Sequence, residues 1–332
     1  MALPHLIWTA FALVVGLTVG SFLNVCIWRM PRRCLSIFKP NRSFCPSCKH
    51  RIAWYDNLPI LSFVALRARC RHCKAAISVR YPIVELITGL LFAGFYWLRV
   101  VDVHPAPPQW SVLVIQIALC CAILVASFID WDFMIIPDRI TKPGLVIAPI
   151  LGLTFPEIHR ATDLVELPSV FPHVWIASAH AQGLYTSLVG MMFGAGIIYG
   201  MGVAGKLLFR KEAMGFGDVK FMGMMGGVLG WKGVMIALFI ACVAGSIVGI
   251  VRKAMTGDSY IPFGPFLGLG AFSMLAFGEW ILGWTDARFG ALLDRMAERL
   301  GTGATLGLVI LLGGLLIALI VRRSRRRPPP DE

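Results

Sequence analysis

Asp218 stands in the stretch Met214-Gly215-Phe216-Gly217-Asp218-Val219-Lys220, an acid beside two glycines between long apolar runs. An ionisable carboxylate at membrane depth is costly and reads first as functional. The glycines let the backbone bend tightly and let another chain approach. Gly-x-Gly-Asp is also ordinary turn sequence, so its weight depends on a second acid. Asp130 is that acid, in Ser127-Phe128-Ile129-Asp130-Trp131-Asp132 directly after the apolar run 109–129, with Asp138 further on. Residues two apart on a helix point to different faces. At most one of Asp130 and Asp132 therefore faces a bundle interior, and Asp130 is the more embedded. Two neighbouring carboxyl groups do not both ionise readily. One can act as base on a water while the other, as acid, polarises a peptide carbonyl, which is aspartic-protease chemistry without a Ser, Cys or metal nucleophile. Plainer roles exist for each acid alone: a capping or snorkelling helix-end carboxylate for Asp130, and a turn or first-turn acid for Asp218. A proton or cation relay in a transporter would use the same pair.

A second constellation is cysteine. Cys45-Pro46-Ser47-Cys48 and Cys70-Arg71-His72-Cys73 form two CxxC pairs separated by 21 residues. Four thiolates at that spacing suit a tetrahedral structural zinc site with no open position. Arg42, Lys49, Arg69, Arg71 and Lys74 would offset its negative charge. The alternative is a redox dithiol or disulfide pair, which a cytoplasmic location disfavours. Cys26, Cys120, Cys121 and Cys242 lie in apolar segments, as small buried hydrophobes do. Cys34 sits in a basic loop and is left undecided.

These residues need a membrane scaffold. The chain has 332 residues, of which 57% are hydrophobic and 15% charged, with mean hydropathy +0.74. That composition marks an all-α polytopic membrane protein rather than a soluble one. Spans are expected at about 5–27, 82–100, 109–129, 139–155, 183–208, 219–230, 233–251, 262–284 and 303–321, nine transmembrane helices in all. The run 219–230 is short and Gly-rich for a crossing and fits a tilted or re-entrant helix. The first run lacks the basic n-region of a signal peptide and reads as a retained helix.

The net charge of +13 does not imply nucleic acid. Between Arg29 and Arg80 there are twelve Lys or Arg against the single acid Asp56, and the tail 322–327 adds five Arg. Basic loops beside membrane helices are the positive-inside signature. That rule places the N-terminus outside, and puts the cysteine insert, both aspartates and the C-terminal tail in the cytoplasm. The division expected is a first helix at 1–28, a small cytoplasmic zinc-binding insert carrying the four cysteines at 29–81, a helical core at 82–284, an external loop and extra helix at 285–321, and a basic Pro-rich tail at 322–332.

From about Gly20 to about Gly278 the chain resembles the type IV prepilin leader peptidases, membrane aspartic proteases of the GxGD type. The matching stretches occur in family order: Gly20-Ser21-Phe22-Leu23-Asn24-Val25 with Arg29 and Pro31, the four cysteines, Arg80-Tyr81-Pro82-Ile83-Val84-Glu85, Phe128-Ile129-Asp130 through Pro137-Asp138, Gly215 to Lys220, and Ile261-Pro262-Phe263-Gly264-Pro265. The resemblance implies that Asp130 and Asp218 are the catalytic pair and that Gly215, Gly217 and Lys220 form the active-site loop. It implies structural Zn2+ on Cys45, Cys48, Cys70 and Cys73. It also implies a bacterial inner-membrane enzyme that removes the short basic leader of type IV prepilins or type II secretion pseudopilins. N-methylation of the new N-terminus from S-adenosylmethionine would follow. No glycine-rich methyltransferase fingerprint is visible, so no residue is assigned to the methyl donor. The helix at 303–321 extends past the usual family end.

Overall fold

The computed structural model describes residues 2–32, 43–102, 109–159, 178–209, 214–257 and 261–285, with 107 and 288 as isolated positions. Helices dominate. They are α1 (Ala2–Arg29), the short α2 (Leu61–Ala65), α3 (Arg80–Tyr96), α4 (Trp110–Phe133), α5 (Asp138–Thr154), α6 (Ala179–Phe209), α7 (Phe216–Thr256) and α8 (Gly264–Thr285). Among the described residues no β-strand forms, only the isolated bridges Phe44–Arg51 and Arg69–Ala76. Six helices, all but α2 and α5, are long and apolar enough to cross a membrane. Leu3, Trp8 and Phe11 on α1, Phe239 and Ile250 on α7, and Trp280 on α8 lie exposed on the outside of the bundle. Large apolar side chains facing outward are what a lipid-solvated surface presents, and backbone hydrogen bonding confined to helices is what hydrocarbon demands.

Close approach between helices depends on glycine. A methyl group on Gly16 would lie 2.8 Å from the Gly89 Cα, and one on Gly20 would lie 2.7 Å from the Glu85 Cα. Gly16 and Gly20 are one helical turn apart, so α1 and α3 meet backbone to backbone along a GxxxG face. Gly190 and Gly194 repeat the device on α6, pressed against the Gly226 and Met222 carbonyls of α7.

Nine spans are not reached among the described residues. The segment expected at 139–155 is helical as α5, but its 17 residues contain Pro143 and Pro149 and it falls short of the six. The expected helices 219–230 and 233–251 are two arms of α7, broken at Gly230 with φ 68° and ψ 175°. A Cβ on Gly226 would sit 3.1 Å from Val234 Cγ2, whereas eight residues of straight helix rise about 12 Å. The chain therefore doubles back at Gly230. The first arm is about 20 Å long, too short to cross roughly 30 Å of hydrocarbon alone. The break frees carbonyls of that arm. Ser187 Oγ on α6 donates to the Gly227 carbonyl at 2.6 Å, and the buried His159 side chain meets the Val228 backbone. The expected ninth span 303–321, the tail 322–332 and Cys34 lie outside the described residues.

Away from the aspartates, Arg99 is buried between α3, α4 and α8. Its Nε donates to Gln116 Oε1 at 2.9 Å and its Nη2 to the Leu275 carbonyl at 3.1 Å; Gln116 Nε2 donates to that same carbonyl at 3.2 Å. Two donors thus serve one carbonyl, just before the helix departs from ideal dihedrals at Phe277.

Gly230 adopts a conformation that a side chain opposes, and Gly196 on α6 faces open space. Gly230→Ala is expected to destabilise the protein by about 1–3 kcal/mol, read as a lower melting midpoint in detergent. Gly196→Ala is expected to leave that midpoint in place or raise it.

Candidate aspartate site and cysteine cluster

Asp130 lies in the last turn of α4 and is only 6% exposed. The helix ends at Met134, whose left-handed backbone (φ 54°, ψ 37°) returns its N–H to the Asp130 carbonyl. The Asp130 carboxylate accepts a hydrogen bond from the Gly264 N–H at 3.0 Å. Gly264 opens α8, where backbone N–H groups lack helical partners and the helix dipole favours negative charge. A Cβ there would lie 2.6 Å from Asp130 Oδ2, so the carboxylate occupies the space that glycine leaves. Asp132 turns elsewhere: it is exposed and ion-paired with Arg80 at the start of α3.

Asp218 lies in the first turn of α7. Its Oδ2 accepts the Gly215 N–H at 3.2 Å, and its own N–H returns to the Gly215 carbonyl at 3.1 Å. The acid thereby caps the helix it begins. Asp130 and Asp218 come from segments 88 positions apart, yet they are close enough for the Asp130 charge to act on Asp218. The loop glycines differ in surroundings. A Cβ on Gly217 would meet Ile136 at 3.2 Å, so its bare side admits the chain leaving α4. Gly215 has only Asp218 Oδ2, at 3.5 Å, and the neighbouring Gly217 N–H within reach. Lys220 is ion-paired with Asp138, which Lys142 also contacts at 2.8 Å, and its ammonium lies 5.3 Å from the Phe216 ring centroid.

The four expected metal ligands converge. The Sγ atoms of Cys45, Cys48, Cys70 and Cys73 lie within 4.8 Å of one another, and Cys45 and Cys73 Sγ are 3.8 Å apart. A tetrahedral ion with metal–sulfur bonds of about 2.3 Å separates its sulfurs by roughly 3.8 Å, so this cluster can hold a metal ion. Both CxxC turns are built alike. Lys49 and Lys74 each follow the second cysteine with positive φ (59° and 58°) and return their N–H to the carbonyl of the first cysteine. Cys45 N–H bonds the His50 carbonyl and Cys70 N–H the Ala75 carbonyl. The His50 and His72 rings lie against each other with centroids 3.5 Å apart. Arg71 grips Asp56 with 2.6 and 2.8 Å contacts and holds its carboxyl below the usual carboxylate range.

The cysteine module seats at the same end of the bundle as the aspartates. The Trp28 and Phe44 rings meet edge to face at 5.7 Å, and the Arg29 guanidinium lies 6.0 Å from the Phe44 ring centroid. Arg32 spans from Trp28 to Phe133 at the end of α4, 4.4 and 5.6 Å from the two ring centroids. Sequence reasoning missed two supports of the site, the Gly264 amide and the Arg80–Asp132 pair. Glycine followed by proline at the start of an apolar run signals a helix N-terminus and could have pointed to the first.

Two family models match this chain: the bacterial peptidase A24 N-terminal domain over residues 14–99, and the type IV leader peptidase family over residues 117–250. Similar curated proteins are named prepilin leader peptidase/N-methyltransferase. One from Burkholderia pseudomallei (strain 1026b) is 34% identical over 83% of this chain and 88% of its own length. One from Myxococcus xanthus is 37% identical over 76% of this chain and 65% of its own, and one from Aeromonas salmonicida is 33% identical over 83% and 94%. No solved structure matches.

Replacing Cys45 or Cys70 with Ser removes a ligand whose three partners remain clustered. Both variants are expected to purify in lower yield, with metal content by elemental analysis less than half that of the parent. Cys242→Ser, in α7, is expected to leave metal content unchanged.

Proposed function

This chain belongs to the type IV leader peptidase family, and on that basis we propose that it is a membrane-embedded aspartic endopeptidase. It removes the short basic leader of type IV prepilins or type II secretion pseudopilins, then N-methylates the new N-terminus. The observation that carries the catalytic assignment is the meeting of Asp130 and Asp218 at two helix ends, each carboxylate held by a backbone N–H.

The pair shares one proton, because two interacting carboxyl groups titrate as a unit. The ionised member takes a proton from water, which attacks the scissile carbonyl. The protonated member donates to the carbonyl oxygen, and a proton then passes to the leaving amine. The Gly264 amide keeps Asp130 from rotating away. Gly215, the more open of the two loop glycines, gives the extended substrate backbone its approach to Asp218. Gly217 serves the packing of the loop against Ile136. Lys220, tied to Asp138, fixes the start of α7 at the interface.

Cys45, Cys48, Cys70 and Cys73 would hold Zn2+ as a closed structural site. Bound there, the metal supplies folding energy to an insert with little core of its own. The bilayer is the bacterial inner membrane, with the N-terminus outside and the zinc insert, both aspartates and the tail in the cytoplasm, following the basic-loop asymmetry. The transporter alternative finds no support among the relatives, whose names describe peptidase and methyltransferase activities.

Incubating the purified protein with a prepilin peptide and S-adenosylmethionine, with products read by mass spectrometry, tests both activities. Asp130→Asn and Asp218→Asn are each expected to lower leader cleavage by at least ~10²-fold while the protein still inserts. Cleavage at the parent rate by either variant would remove the dyad. Gly264→Ala, which crowds Asp130, is expected to lower kcat more than it raises KM.

A further inference from the structure

The cysteine module carries large apolar side chains that its own fold leaves bare. On α2, Phe63 and Leu66 face inward and line the cavity between the module and the ends of α1 and α3. Leu61 and Val64 share the opposite face of that helix, and they are 69% and 68% exposed. Leu58 and Tyr55 are exposed beside them, and Trp54 is 78% exposed, in the 3-10 turn Trp54–Asn57 that packs against α2. A cluster of large apolar groups turned outward marks an interaction surface.

This surface lies level with the membrane helices. The Ile60 N–H, just before α2, donates to Glu85 Oε2 at 2.8 Å. Glu85 is buried on α3, about 8 Å along the helix axis from Arg80, where that helix begins. Around that level Ile83, Leu86 and Leu90 of α3 and Phe22 of α1 stand exposed on the outside of the bundle. The contact is held against a backbone cost. Ile60 has φ 58° and closes a γ-turn, with the Leu61 N–H returned to the Pro59 carbonyl. A β-branched side chain opposes that conformation. The module is thus drawn down beside the helices rather than standing off from them.

We propose that the 54–64 edge of the cysteine module is embedded in the cytoplasmic leaflet of the bilayer, as a monotopic anchor. Leu58, Leu61 and Val64 lie among acyl chains, continuing the lipid-facing surface of α3. Trp54 and Tyr55, apolar rings with a polar edge, lie at the headgroup boundary where such residues settle. Arg67, Arg69 and Lys74 of the same module are exposed, and anionic headgroups suit them. The inference rests on the membrane-crossing helices and not on the proposed catalysis. Its consequence reaches the site all the same. A module held by Glu85 on one side and by the leaflet on the other keeps Phe44 against Trp28, beside the Arg32 that spans to the end of α4.

The test places the photoreactive residue benzoylphenylalanine in turn at Leu61, Val64 and Phe63 of the full-length protein, and at Phe239 on the outside of α7 as a control. Each protein is reconstituted in vesicles of phosphatidylethanolamine and phosphatidylglycerol and irradiated, and its peptides are read by mass spectrometry. Acyl-chain adducts are expected at positions 61, 64 and 239 and none at 63, which faces the cavity. No acyl adduct at 61 and 64 while 239 is labelled would overturn the anchor. So would a cross-link from either position to a second copy of the chain, which would make this face an interface between protomers. Equal labelling at 61 and 63 with parental metal content would also overturn it, because the module would then present no one face to lipid. Metal content below the parent's identifies a misfolded variant, and the other position on the outer face then decides. A parent protein that fails to cleave a prepilin peptide would sink the proposed activity and leave this placement standing.

Discussion

A carboxylate at the end of a membrane helix survives only if something replaces the water it has lost. Here that something is backbone. Asp130 rests on the first amide of α8, and Asp218 on the amide of its own N-cap. Both amides belong to glycines, and both lack a partner within their helix. Each anion thus answers a need that the helix already has. The rest of the site end follows from placing these two helix starts beside the end of α4.

Bringing three helix ends together requires close backbones, and the bundle obtains them by removing side chains. Gly16 and Gly20 draw α1 onto α3, and Gly190 and Gly194 draw α6 onto α7. The reversal at Gly230 lets the first arm of α7 carry Asp218 to the proper depth and return without crossing. Such a reversal in hydrocarbon is tolerated only under protein cover, which Ser187 and His159 help to supply. The helical arrangement and the polar contacts are therefore one design: where the backbone stops bonding to itself, a neighbouring helix offers a partner.

Much of this was legible in the sequence. Cysteine spacing located the metal-capable cluster, because four ligands two by two leave few arrangements. The depth argument separated Asp130 from Asp132, and the structure has Asp132 turned out toward Arg80. Glycine richness flagged 219–230 as an unlike crossing. What could not be read were contacts between distant segments that carry no local signal. The Gly264 amide is one residue among 34 glycines, and Glu85 looks like an ordinary acid near a helix start. The count of nine spans is not reached among the described residues for a related reason. Hydropathy reports how apolar a run is, but not whether its chain folds back halfway.

The buried Arg99 cluster has a mechanical side. It pins α3, α4 and α8 together at the end of the bundle away from the aspartates, through bonds to Gln116 and the Leu275 carbonyl and an ion pair with Glu279 at 3.4 Å. Near the dyad, the same helices are joined by one amide–carboxylate bond and by an exposed ion pair. A bundle clamped at one end and lightly latched at the other behaves like a clothes peg. Its cheapest deformation spreads the jaws at the aspartates.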